Sequence, residues 1–176
     1  WYESGEKMYE VLWKNGKEEG LETRWDGNGN KISETHYKNG KKEGLETGWV
    51  IGHCPMDFGP CDVIKKRSET AYKNGKEHGL KIEWYPSGEK LAETPYKNGT
   101  REGIQTRWYK SRIKMAEIPY KNGKREGVRK RWYKSGAKKS LKTYKNGIEN
   151  GLRKEWDEDR TLTFEGNFVD GVEEIK

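Results

Sequence analysis

The sequence contains few aliphatic side chains for its 176 residues. Leu, Ile, Val and Phe together fill 26 positions, about 15% of the chain, and the formal net charge is +7. A fraction below about 20% combined with high charge is typical of disorder. The eight Trp and ten Tyr argue against disorder, because each ring can bury roughly 150–250 Å². We therefore predict a thin core built from large rings.

Long apolar runs are also missing, so the sequence offers no segment that would span a bilayer as a helix. It has no basic-then-apolar leader either. Trp1 falls in the middle of a repeat, and we expect the native N-terminus to lie upstream of it. The localisation therefore stays open at this stage: cytoplasmic for an antitoxin, or exported and surface-bound if a signal peptide precedes Trp1.

The chain repeats itself with a period of 24 residues, interrupted once by an interval of 35. We number each repeat from the aromatic that precedes the Asn-Gly pair. Position 1 falls at Trp13, Tyr37, Tyr72, Tyr96, Tyr120, Tyr144 and Phe168. Gly recurs at positions 4 and 8, an aliphatic at position 9 and Trp at position 13. A fixed period of this length indicates a repeat architecture, here one domain over residues 1–176.

Each repeat is predicted to be one β-hairpin. Asn-Gly, as in Tyr-Lys-Asn-Gly, is among the strongest hairpin signals, because both residues tolerate positive φ. Half a repeat later a second turn is expected, for example at Ser87-Gly88. Alternation, as at Leu45, Thr47 and Trp49, indicates half-buried strands with one dry face. The predicted fold is all-β: an elongated antiparallel meander, solenoid-like, of 24-residue hairpins.

The position of the second turn sets the register of the predicted strands. With a two- or four-residue loop, Trp at position 13 lies opposite position 20, which holds Met8, Ile32, Leu91 and Met115. A three-residue loop shifts that register by one. In either case Trp and Tyr are expected in rows along one face, and neighbouring hairpins stabilise one another.

The pattern YKNGKxEGLxxxWYxSGxK, seen at 72–90, 96–114 and 120–138, resembles the MORN repeat variant found in bacterial proteins labelled YwqK-family antitoxins. The resemblance covers nearly the whole chain. It implies an antiparallel β array without catalysis or cofactor, used for protein contact. Some proteins of this family are thought to neutralise a toxin, and others to act at cell surfaces. The broader MORN class is associated with phospholipids and scaffolding.

The sequence departs from this pattern in three places. The second turn becomes Ser111-Arg112 in one repeat and Asp159-Arg160 in another, and we expect both to take a different form. Residues 155–176 are predicted to be a capping repeat, because terminal repeats are commonly atypical. Residues 50–66 are predicted to be an inserted loop and the likeliest place for specificity.

The insert holds the only two cysteines, Cys54 and Cys61. One interpretation is a small disulfide loop, and an equal alternative is a pair of free thiols in a cytosolic protein. A metal site from His53, the cysteines and Asp57 or Asp62 is a weaker third interpretation, because the spacing matches no zinc pattern.

Positive charge is concentrated in residues 100–154, which contain 18 Lys or Arg and four Asp or Glu. This stretch could simply be a solvated outer face, or it could bind an acidic protein, anionic lipid or nucleic acid. The sequence favours the acidic protein, allows an anionic membrane and disfavours nucleic acid. The predicted partner-binding residues combine basic and aromatic side chains: Arg107, Trp108, Tyr109, Arg129, Lys130, Arg131, Trp132, Tyr133 and Lys134.

Nothing in the sequence predicts catalysis. His36 and His78 occupy repeat positions where other units carry unrelated residues. The Glu that recurs at position 22 is interpreted as part of a charge ladder with Lys and Arg, not as a tuned acid. No phosphate loop or metal-binding helix motif is present. We predict a non-enzymatic domain that binds a protein partner, with a surface or membrane scaffold as the alternative.

Overall fold

A computed structural model describes residues 1–52 and 63–175 of the chain. These residues form sixteen β-strands. Nowhere among them is there a helix that could cross a membrane. The chain divides into two compact units, Trp1–Glu89 (unit 1) and Lys90–Lys176 (unit 2). Antiparallel strands follow one another in chain order within each unit, which confirms the predicted all-β meander of hairpin repeats.

Unit 1 contains six strands: β1 (Tyr9–Lys14), β2 (Lys17–Trp25), β3 (Lys31–Lys38), β4 (Lys41–Gly52), β5 (Val63–Lys73) and β6 (Lys76–Trp84). Unit 2 contains β7 (Lys90–Lys97), β8 (Thr100–Arg101), β9 (Gly103–Trp108), β10 (Lys114–Lys121), β11 (Lys124–Arg125), β12 (Gly127–Trp132), β13 (Lys138–Lys145), β14 (Ile148–Trp156), β15 (Leu162–Val169) and β16 (Val172–Glu173).

The Asn-Gly pairs form the predicted two-residue hairpin turns. Asn122 and Gly123 have φ of 49° and 78°, and the flanking Lys121 and Lys124 pair across the turn. Positive φ at both central residues matches the right-handed twist of the strands. In the last repeat Asp170 takes the place of Asn, with φ of 50°.

The second turn differs from the prediction. Trp108 pairs with Lys114, at position 19, so the loop between them has five residues. Met115 at position 20 is the extra residue of a β-bulge, because Ala116 already pairs with Arg107. The same shift recurs at Trp25, Trp49, Trp132 and Trp156. The predicted contact between Trp and position 20 across the ladder is therefore wrong.

The turns that contain Arg112 and Arg160 have the same form as the glycine-containing turns of the other repeats. The expectation that they would take a different form is therefore wrong. In the turn at Tyr109–Ile113, the Tyr109 N–H donates to the Ile113 carbonyl at 2.8 Å and the Arg112 N–H donates to the Tyr109 carbonyl at 2.9 Å. The glycine-containing turn at Tyr133–Ala137 makes the same two bonds. Arg112 and Arg160 reach this geometry by adopting φ of 67° and 68°. The backbone of an ordinary residue is thus held in a left-handed conformation.

The register places Tyr and Trp on opposite faces of the strands. Tyr120, Ile118 and Ala116 lie opposite Gly103, Gln105 and Arg107, and successive side chains alternate between faces. We call the face of positions 1, 10, 12, 21 and 23 the tyrosine face. The face of positions 9, 11, 13, 19 and 22 is the tryptophan face. Rows of Trp and Tyr along one shared face, as predicted, are not observed.

The most buried side chains are small and lie on the tyrosine face. Ala92, Thr94 and Ala116 are 2%, 2% and 4% exposed, and Ser140 is buried in the same row. The Trp side chains at position 13 are half-buried. Tyr144 and Phe168, each 8% exposed, are the buried aromatic residues of the described chain. The thin core is thus made mainly of small side chains, together with Tyr144 and Phe168.

The aliphatic at position 9 is not on a dry face, contrary to the prediction. Leu45, Leu80 and Ile104 remain 50%, 49% and 58% exposed. They stand on the tryptophan face, next to Gly at position 8, which adopts positive φ and offers no side chain as cover. A Cβ on Gly103 would lie 3.1 Å from Pro95 Cγ, so close packing also requires Gly there.

The described ends of the 50–66 insert are strand. Val50 pairs with Lys65 and Ile51 with Ile64, so β4 and β5 continue past the bulge at Arg67. Cys54, Cys61 and His53 lie outside the described residues, as does the disulfide or metal site predicted there. Within the predicted capping repeat, the Phe164 and Phe168 rings pack with their centroids 6.2 Å apart and their planes tilted by 49°.

We predict that Arg112→Gly stabilises the chain. A left-handed conformation costs an ordinary residue about 1–2 kcal/mol, which exceeds the entropy of about 0.4–1 kcal/mol that glycine adds to the unfolded chain. The free energy of unfolding measured with urea should rise by about 0.5–1 kcal/mol. The control is Lys110→Gly in the same turn, which should lower it. A lower value for Arg112→Gly would contradict the assignment of strain to this turn.

Candidate functional site: the tyrosine face of unit 2

The recurrent aromatic residues form contacts between neighbouring repeats. Tyr109 Oη donates to the Trp132 carbonyl and Tyr133 Oη to the Trp156 carbonyl, both at 2.9 Å. Tyr2 makes the same bond to Trp25 in unit 1. Each bond joins position 14 of one repeat to position 13 of the next. Tyr109 and Tyr133, predicted to contact a partner, therefore already have a structural hydrogen bond.

Lysine at position 19 links repeats on the tryptophan face. Lys31 Nζ lies 5.8 Å from the Trp49 ring centroid, and Lys90 Nζ lies 5.4 Å from that of Trp108. The same lysines pair with Glu at position 22, as in Lys114–Glu117 at 2.6 Å. Lys31 pairs with Glu34 and Lys90 with Glu93 in the same way. The recurrent Glu is thus the ion-pair partner of a framework lysine, as the charge-ladder interpretation proposed.

A second recurrent acid was missed by the sequence reasoning. Glu102 Oε2 accepts the Asn122 N–H at 2.7 Å, and Glu126 Oε2 accepts the Asn146 N–H at 2.7 Å. Each carboxylate at position 7 thus bonds the Asn-Gly turn of the following repeat. The sequence does show this Glu, because it precedes Gly at position 8 in several repeats. Its role was missed because the Asn that it bonds lies 20 residues away.

The nine predicted partner-binding residues do not form one surface. Arg107, Arg129 and Arg131 occupy positions 10 and 12 and lie on the tyrosine face. Trp108, Lys130 and Trp132 occupy positions 11 and 13 on the tryptophan face. Tyr109, Tyr133 and Lys134 belong to the five-residue turns.

Arginine side chains cover the aromatic rings of the tyrosine face. Arg101 lies 5.3 Å from the Tyr120 ring centroid, and Arg125 and Arg129 lie 5.3 and 5.9 Å from that of Tyr144. A guanidinium over a ring contributes roughly 0.5–1 kcal/mol at an exposed site and leaves the charge intact. This face of unit 2 thus combines rings and positive charge.

Carboxylates on this face are confined to the end of unit 2. Glu155 is 3.3 Å from Lys142 Nζ and 2.8 Å from Arg153 Nη2. Burial opposes ionisation of Glu155, but hydrogen bonds from Arg153 and Lys142 outweigh it and lower the pKa of this carboxyl. In contrast, Arg107, Arg129 and Arg131 have no ion pair with any carboxylate in the described chain.

A shallow cleft of about 290 Å³ opens on the tyrosine face beside Arg129 and Arg131. We call it the arginine cleft and define it by Arg129, Arg131, Ser140, Lys142 and Glu155. The rest of its lining is formed by Tyr133, Lys139, Trp156, Asp157 and Thr163, so the cleft has four cationic and two acidic side chains. The cleft therefore holds more cations than carboxylates, which suits an anionic ligand.

The described residues contain no cluster of His, Cys, Asp and Glu that could hold a metal ion. His36 Nδ1 lies 3.3 Å from the Leu45 carbonyl, at an exposed position.

Comparison with protein families identifies similarity to the MORN repeat variant, which matches residues 18–39, 77–98 and 125–146. These segments cover less than half of the chain. MORN repeats are in general protein- or lipid-binding modules and non-catalytic. No curated protein matches the sequence.

We predict that Tyr133→Phe destabilises the chain by about 0.5–1.5 kcal/mol, because it removes the hydroxyl that bonds the next repeat. Urea unfolding measures the loss. The matched control is Tyr144→Phe, whose hydroxyl makes no hydrogen bond within the described chain, and its effect should stay within about 0.5 kcal/mol. Equal effects of the two substitutions would show that the bond between repeats contributes nothing.

Proposed function

We propose that the chain is a protein-binding repeat module that takes an acidic partner protein on the tyrosine face of unit 2. The observation that carries this proposal is the set of arginines there, Arg107, Arg129 and Arg131, which lack carboxylate partners among the described residues. Arginine suits interfaces, because its planar fork binds carboxylates bidentately and is weakly hydrated. Charge of one sign also steers the encounter with an acidic surface.

On the tyrosine face of unit 1, in contrast, two cations have carboxylate partners. There Glu22 pairs with Arg24 at 2.8 Å, and Lys42 pairs with Glu46. These ion pairs neutralise the tyrosine face of unit 1 internally. Unit 2 leaves most of its cations available, which fits an external partner.

The other six predicted residues take a secondary part in this proposal. Trp108 and Trp132 belong to the framework of the tryptophan face, and Tyr109 and Tyr133 bond neighbouring repeats. Lys130 lies 3.8 Å from Glu117. Their contact with a partner stays a prediction, and the arginines are the residues that we expect to dominate the charge effect.

An antitoxin or immunity role is the specific form of this function that we favour. Its mechanism is steric and electrostatic: the sheet face covers the functional surface of a toxin, and the arginines speed their encounter. The support is the repeat pattern, which resembles that of bacterial proteins labelled antitoxins. In this role the protein is cytoplasmic.

We predict that a triple variant, Arg107→Gln with Arg129→Gln and Arg131→Gln, loses at least tenfold in affinity for a partner recovered by cross-linking in the native host. The recovered protein should be acidic, and it should inhibit growth when produced without this chain. Wild-type binding should weaken between 50 and 500 mM NaCl, because screening shortens the range of charge attraction.

The matched control replaces three exposed lysines of unit 1, Lys14, Lys38 and Lys73, with Gln. This change removes the same charge and should reduce affinity less than threefold. Affinity that does not respond to salt would contradict the proposal. So would vesicles with 30% phosphatidylserine binding the chain while no protein partner is recovered, which would support a membrane scaffold instead.

A further inference from the structure

Positions 10 and 12 stand side by side on the tyrosine face, and three repeats fill them with one acid and one base: Glu22 and Arg24, Lys81 and Glu83, and Arg153 and Glu155. The first and the last of these pairs are in direct contact. Glu22 Oε1 accepts from Arg24 Nε at 2.8 Å in unit 1. Arg153 Nε donates to Glu155 Oε1 at 3.0 Å in unit 2. The order of acid and base is reversed between the two repeats, but each pair neutralises itself.

The repeat that begins at Tyr120 breaks this arrangement. Arg129 and Arg131 occupy positions 10 and 12, so both members are cations and the acid is missing. Arg129 also lies directly opposite Lys142 in the β12–β13 ladder. Like charges directly opposite each other destabilise a sheet. The local sequence therefore weakens the fold at this point, which indicates a role other than stability.

The arginine cleft contains an unsatisfied donor. Arg129 Nε is buried and has no hydrogen-bond partner. Two neighbouring cations are already engaged, since Lys142 lies 3.3 Å from Glu155 and Lys139 Nζ lies 4.7 Å from the Tyr133 ring centroid. Arg131 faces Ser140 and Ala116, neither of which carries a charge. Two guanidinium groups thus remain for a ligand from outside.

We propose that the arginine cleft binds one carboxylate side chain of the acidic partner, in the place that Glu22 and Glu155 fill in other repeats. This inference rests on the proposed function and adds the specific contact. A carboxylate fits because two parallel N–H···O bonds match the arginine fork. The cleft is shallow, so a side chain held by the surrounding interface suits it better than a free small molecule.

The proposal is tested with peptides of known charge. Ac-(Gly-Glu)4-NH2 is titrated into the full chain at constant ionic strength, and the Arg Nε–Hε signals are followed by NMR. We expect saturating shifts of the Arg129 and Arg131 signals. Ac-(Gly-Gln)4-NH2 should produce shifts at least tenfold smaller at the same concentration.

Two small anions identify the source and the chemistry of the ligand. Sodium acetate at matched carboxylate concentration should bind at least tenfold more weakly than the glutamate peptide, because neighbouring arginines assist the peptide. Equal binding of acetate would mean that the cleft binds a free carboxylate. That result would overturn the proposal that its ligand is a side chain of the partner. Inorganic phosphate that binds more tightly than the peptide would overturn the assignment of a carboxylate.

The decisive variant supplies the missing acid within the chain. Arg131→Glu should pair with Arg129 as Glu155 pairs with Arg153, reduce peptide affinity at least tenfold, and raise Tm by about 2–4 °C. Lys121→Glu makes the same change in charge at an exposed position outside the cleft. It should reduce affinity less than threefold and leave Tm within about 1 °C.

The outcomes separate this inference from the proposed function. If Arg131→Glu and Lys121→Glu weaken peptide binding equally, the face attracts acid without a specific cleft. The inference then fails, while an acidic partner remains possible. If the triple arginine variant keeps full affinity for the recovered partner, the proposed function fails, whatever the peptide does.

Discussion

Each unit is a single sheet, so its side chains must be buried against other side chains on the same face. The structure of each unit depends on this constraint. Side chains such as Ala92, Thr94 and Ala116 are almost completely buried on a face that also carries Tyr rings and arginines. On the tyrosine face Arg101 lies over the Tyr120 ring of the next repeat, and on the tryptophan face Lys31 lies over the Trp49 ring of the next repeat. A repeat is therefore stable only beside a neighbour, which explains why the same contacts recur along the chain.

This constraint also explains how the sheet face acquires a positive surface without any additional loop or domain. Long cationic side chains can cover apolar rings while their charged groups stay at the surface. Where a carboxylate stands nearby, as at Glu22 or Glu155, the charge is neutralised. Around Arg107, Arg129 and Arg131 it is not, so the cover of the core also becomes the proposed binding surface.

The sequence was sufficient to predict the hairpins but not their faces. Asn-Gly and the 24-residue period determine the turns and strands directly. The bulge at position 20 could not be read from alternation, because one extra residue reverses which side chains share a face. That single feature separated Tyr from Trp across the five-residue turn. The predicted site was divided by alternation itself, because Arg129 and Trp132 are three residues apart in β12. The left-handed Arg112 was missed because Arg rarely adopts positive φ.

In the proposed role, Arg131 serves binding at the expense of the fold. The most direct measurement is the free energy of unfolding of Arg131→Gln relative to the wild type, at 50 and 500 mM NaCl. Repulsion among Arg129, Arg131 and Lys142 predicts a variant more stable than the wild type at low salt, with a smaller difference at high salt. A variant less stable than the wild type at both salt concentrations would contradict the account.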